Sequence, residues 1–92
     1  MTPPDERHDG TRIVVDVRPV SGATEYRVYV SAYPDGAGAE AMAKGAEPEL
    51  LVTKLRPEVP LYFFATYVDD DKHESRPSPP RRVLLKDEFP MK

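Results

Sequence analysis

Along most of this chain apolar and polar residues alternate with a period of two, the spacing of strands. Ile13, Val15 and Val17 alternate with Val14, Asp16 and Arg18, a half-buried strand of β-branched residues. Pro19-Val20-Ser21-Gly22 ends it. Tyr26, Val28 and Val30 then alternate with Arg27, Tyr29 and Ser31, and the short turn between these two strands predicts a hairpin. Pro34-Asp35-Gly36 is a turn, because proline presets one backbone dihedral and glycine accepts a positive one. Residues 37–47 are rich in alanine, but Gly38 and Gly45 bracket too short a run for a stable helix. That segment reads as a loop with room for a short edge strand. Residues 50–55 form a strand, a corner follows at Pro57 and Pro60, and residues 81–86 form the last strand.

The stretch LYFFATYV, residues 61–68, departs from this alternation. It is apolar or aromatic at both odd and even positions, so both faces of the strand need cover or one presents an aromatic patch. With Leu61, Phe63 and Ala65 inward, Tyr62, Phe64 and Thr66 point outward, beside Arg27, Tyr29 and Ser31 of the neighbouring strand. If Tyr62 points inward instead, Phe63 and Tyr67 face out. The inward set predicted for the whole chain is Ile13, Val15, Val17, Tyr26, Val28, Val30, Leu50, Val52, Leu55, Leu61, Phe63, Ala65, Val83 and Leu85.

Short strands, turn signals about every 8–12 residues and little helix predict an all-β, antiparallel immunoglobulin-like sandwich of six to seven strands. A small β-barrel is the alternative. Pro77, Pro79 and Pro80 blunt the approach to the last strand, a means of discouraging edge pairing. Residues 1–10 are polar and read as a leader, 11–87 as one domain, and 88–92 as a tail or linker.

Composition narrows the function more than the fold. Ninety-two residues with 39% apolar and 32% charged content describe one small folded domain. Thirteen basic residues interspersed among 16 acidic ones give a net charge of −3, which offers no footprint for nucleic acid or an anionic membrane. No apolar run approaches transmembrane length, so membrane insertion is not expected, and the start, MTPPDERHDG, lacks the pattern of a secretory signal. With no cysteine there is no disulfide framework or thiolate metal site, and the compartment stays open.

The passages Pro19-Val20-Ser21-Gly22-Ala23-Thr24-Glu25-Tyr26-Arg27-Val28, Leu55-Arg56-Pro57 and Glu74-Ser75-Arg76-Pro77-Ser78 occur in this order, and together they resemble a fibronectin type III domain over residues 11–86. The resemblance implies a sandwich of that type, without catalysis or cofactor. It also implies one domain of a larger multidomain protein, of the kind that in bacteria sits beside carbohydrate-active or surface-attached domains. Three positions depart from the family pattern. Val17 stands where a buried Trp is usual, Leu61 where a corner Tyr is usual, and the first strand is short or absent.

Tyr29, Tyr62 and Phe64, with Arg27 alongside, are the candidate binding face, on the order of 300 Å² of apolar surface unless loop 32–48 covers it. The partners expected there are a neighbouring domain or protein, a carbohydrate stacked on the rings, or a second copy in homotypic adhesion. The lack of Trp, Asn and Gln counts against the carbohydrate. Asp69, Asp70 and Asp71, near Glu74, supply hard oxygens for a cation but lack the spaced ligands and mid-loop glycine of a calcium loop, so a solvated turn is expected. His73 lies beside Asp71, Glu74 and Ser75, yet neighbours on a turn do not make an oriented triad. Arg76, Arg81 and Arg82 form a basic cluster that suits an acidic partner or guards a strand edge.

Overall fold

The computed structural model describes residues 3–9, 12–52 and 60–83. Among the described residues seven strands order as β1 (Asp5–Asp9), β2 (Arg12–Asp16), β3 (Ala23–Ser31), β4 (Glu40–Gly45), β5 (Glu49–Val52), β6 (Leu61–Asp69) and β7 (Arg81–Val83). They make two antiparallel sheets, β1-β2-β5 and β4-β3-β6-β7, packed as a sandwich.

The core is built from the alternating sets. Ile13, Val15 and Val17 on one side meet Tyr26, Val28, Val30, Phe63 and Ala65 on the other, joined by Leu50, Val52 and Val83. Leu61 is only partly buried but packs against this cluster. Leu55 and Leu85 lie outside the described residues. So do the corner at residues 55–57 and the ends expected for strands 50–55 and 81–86.

The expected hairpin of β2 with β3 does not form, because the two strands belong to different sheets. The physical reason is that alternation sets which face is buried but not which strand is the neighbour. Strands of the same sheet and strands across the sandwich bury their apolar faces in one core. Residues 17–22 make the crossing. Val17 donates its N–H to the Pro48 carbonyl at 2.7 Å, and the Val20 N–H donates to the Tyr26 hydroxyl at 3.0 Å.

The polar leader contains a strand. β1 pairs with β2 from Asp5↔Asp16 to Asp9↔Arg12. It escapes the apolar pattern because its core-side position holds Glu6, whose side chain is only 14% exposed and meets Arg81 Nη2 at 3.2 Å. At the other edge, residues 40–45 form β4, with a bulge against β3 between Val28 and Tyr29. Bulged edges resist further pairing.

β6 takes the register with Phe63 and Ala65 inward, paired to β3 as Phe64↔Tyr29 and Thr66↔Arg27. Beyond it the proline-rich stretch cannot continue a ladder, since proline has no N–H. Serine hydroxyls substitute. Ala65 N–H donates to Ser78 Oγ at 2.9 Å and Tyr67 N–H to Ser75 Oγ at 3.0 Å. The N–H groups of Ser78 and Ser75 donate back to the Ala65 and Tyr67 carbonyls.

Candidate functional site

The outer face of the β4-β3-β6-β7 sheet carries the residues expected there, in an arrangement the sequence did not suggest. Phe64 is 7% exposed, so the open platform of three rings is absent. The turn at residues 33–37 covers it: Gly36, at φ +83°, lies so close that a Cβ there would sit 3.6 Å from the ring. The positive dihedral is what favours glycine there, since a Cβ would make only ordinary contact with the ring. Ser31 fastens the turn by donating to the Ala37 carbonyl at 2.6 Å and accepting the Tyr33 N–H at 3.0 Å. Tyr29 and Tyr62 are half-buried, as is Arg27.

Glu74 organises the face. The turn after β6 returns the chain beside Val68, and the Glu74 side chain then reaches back over Thr66 toward β3. Its Oε2 accepts hydrogen bonds from the Tyr29 hydroxyl at 2.6 Å and the Thr66 hydroxyl at 2.7 Å. Its Oε1 accepts one from Arg27 Nη1 at 3.1 Å, while Arg27 Nε donates to Glu25 at 2.5 Å. Thr66 is 2% exposed, so Glu74 satisfies a hydroxyl that water does not reach.

The network fixes the charge states. Partial burial pushes the Glu74 carboxyl up, but hydrogen bonds from Tyr29 and Thr66 and the charge of Arg27 outweigh it and hold the group below the usual carboxylate range. The bond to Glu74, reinforced by desolvation, raises the Tyr29 phenol. The Arg27 guanidinium is held protonated, first by its hydrogen bond to Glu25 and then by the charges of Glu25 and Glu74.

Beside the network lies a groove of about 570 Å³. One wall is the turn with Asp35, Gly36 and Ala39, and the other is residues 74–77 with Arg76 and Pro77. Tyr29, Phe64 and Thr66 form its floor.

The acidic turn gathers Asp69, Asp71 and His73, with ligand atoms within 4.8 Å of one another, while Asp70 is outside the group. Asp69 already has a local task. Its Oδ1 accepts the N–H groups of Asp71 and His73, both at 2.9 Å, around Lys72 at φ 66°. His73, Glu74 and Ser75 point into separate contacts: His73 toward Asp69 at 4.0 Å, Glu74 into the network, Ser75 onto Tyr67. The basic cluster also divides. Arg81 joins Asp5 and Glu6, Arg82 stands opposite Tyr62 in the β6–β7 ladder, and Arg76 lines the groove.

No family model and no curated protein sequence matches the chain. Solved structures do. A human fibronectin type III domain superposes with TM-score 0.80 at 14% identity, covering 97% of this chain and 74% of that one. The twitchin kinase region of C. elegans gives 0.76 at 18% identity, over 99% of this chain and 18% of that one. The sixth fibronectin type III domain of human fibronectin type III domain containing protein 3 gives 0.70 at 14% identity, over 92% and 82%. At such identities the likeness speaks for the fold alone, and it agrees with the two sheets described above: the chain has the fold of a fibronectin type III domain.

Proposed function

We propose that the chain is a non-catalytic interaction module, one domain of a larger protein, which meets a neighbouring domain or another protein through the outer face of its four-stranded sheet. The observation that carries this reading is the prepared surface there. Half-buried Tyr29 lines a groove whose walls are fastened by hydrogen bonds rather than left to form on contact, and half-buried Tyr62 and Arg27 share its sheet face. Such preorganisation lowers the ordering cost of association. Aromatic residues and arginine are also the side chains enriched at protein contacts.

The sugar-stacking alternative loses one of its three rings, since Phe64 lies under the Gly36 turn. Amide hydrogen exchange on the isolated chain and on the same residues within their parent protein tests the proposal. Protection added at residues 27–31 and 62–66 in the parent is expected. Identical exchange there, with protection added at the β1-β2-β5 sheet instead, refutes it.

A further inference from the structure

The groove beside Glu74 has a hydrogen-bonding polarity. An ionised carboxylate only accepts, so the hydroxyl protons of Tyr29 and Thr66 are both committed to Oε2. What these groups leave toward the groove is acceptor capacity, on the half-buried Tyr29 oxygen and on Oε1, which receives a single Arg27 N–H. Asp35 brings a second carboxylate to the facing wall. Its Oδ1 holds the Ala37 N–H of its own turn, and the side chain is exposed. Ala39, the edge of Phe64 and Pro77 give the slot an apolar lining. The shape is therefore an apolar channel ending in acceptors.

We propose that this groove receives a lysine or arginine side chain from the partner protein, its aliphatic stem along Pro77 and Phe64 and its cationic head at Glu74 and Asp35. The inference rests on the interaction-module reading and names the partner's chemistry. Long basic side chains bury their stems on apolar surface while the charged head finds acceptors. The net charge of −3 favours encounter with a basic segment. Arg76 is the opposing element. It lines the groove, is exposed, and meets no ion-pair partner among the described residues, so it repels the incoming cation.

That repulsion gives the proposal a sign. The experiment is an amide NMR titration at low salt, with capped Ala-Ala-Arg-Ala-Ala, its Lys counterpart and its Glu counterpart as probes. Saturable shifts at Tyr29, Ala39, Thr66 and Ser75 are expected with Arg and Lys at millimolar concentration, weakened by added salt. Asp35→Asn is expected to weaken binding by about threefold and Arg76→Ala to strengthen it by about as much, the size of an exposed charge pair. Ala39→Phe, at an exposed position, fills the slot and abolishes the shifts. The absence of saturable shifts with the basic peptides overturns the proposal, as does preference for the Glu peptide with binding lost in Arg76→Ala. Either failure leaves the interaction-module reading standing if exchange at residues 27–31 and 62–66 still slows within the parent protein.

Discussion

Replacing Glu74 with alanine removes three hydrogen bonds at once, but their losses are unequal. Tyr29 is half-buried and turns its hydroxyl to water, and Arg27 keeps Glu25. Thr66, at 2% exposure, has no such outlet. A buried hydroxyl left without a partner costs about 1–3 kcal/mol, and the two half-exposed bonds add a few tenths each, so a loss of roughly 2 kcal/mol is expected. For a domain of this size that lowers Tm by about 10 °C. Urea and thermal unfolding followed by circular dichroism measure it, since the chain has no Trp. Adding Thr66→Val isolates the cause, because it removes the orphaned hydroxyl while keeping the shape. The double variant is expected to recover about 1 kcal/mol relative to the sum of the single changes. A loss in Glu74→Ala within about 0.5 kcal/mol of zero, the range of ordinary surface substitutions, refutes the reasoning. Strict additivity in the double variant does so too.

Three further outcomes follow from the same contacts. The Glu74 carboxyl, whose ordinary value is 4.5, is held lower in the folded chain, so the folded state binds fewer protons in that window. Its contribution is complete above that value and fades as pH falls through the folded one. The drop in Tm between pH 6 and 3 is expected to be smaller in Glu74→Gln, and an equal drop in both proteins removes the claim. Ser78→Ala leaves the buried Ala65 N–H without its acceptor and is expected to cost about 1–3 kcal/mol in urea unfolding, where a neutral result means another acceptor is in reach. Arg81→Ala removes its contacts with Asp5 and Glu6 and is expected to speed amide exchange in β1 selectively, while global stability falls by about 1 kcal/mol or less. Uniform acceleration across both sheets argues against a local tie.

The core was legible because burial imposes a period on the sequence. Ile13, Val15 and Val17, then Tyr26, Val28 and Val30, announce their inward faces without reference to anything distant. Partner choice has no such local signature, which is why β2 and β3 read as a hairpin although the link between them crosses from sheet to sheet. β1 was lost for a different reason. An edge strand whose core-side position holds a glutamate neutralised by Arg81, 75 residues along the chain, does not alternate in hydropathy. β4, short, rich in alanine and glycine and interrupted by a bulge, gave only the suggestion of an edge strand.

The candidate site was half legible, and the missing half is its chemistry. Tyr29, Arg27, Tyr62 and Phe64 could be assigned to one face by counting alternate positions. The residue that joins Arg27 and Tyr29 lies 47 and 45 positions away, and nothing at Glu74 marks it as different from its acidic neighbours. What distinguishes it is backbone geometry. The turn fastened by Asp69 sets Glu74 opposite Val68, on the face where Thr66 also points. Asp70 and Asp71, equally acidic, end in solvent on the turn itself. The same return forces serine hydroxyls into the place of a strand, because the prolines that blunt the edge also take away the N–H groups a ladder needs. Edge protection, the placing of Glu74 and the second wall of the groove therefore arise from one stretch, residues 69–80. A change there that restores a regular strand is expected to disturb all three together.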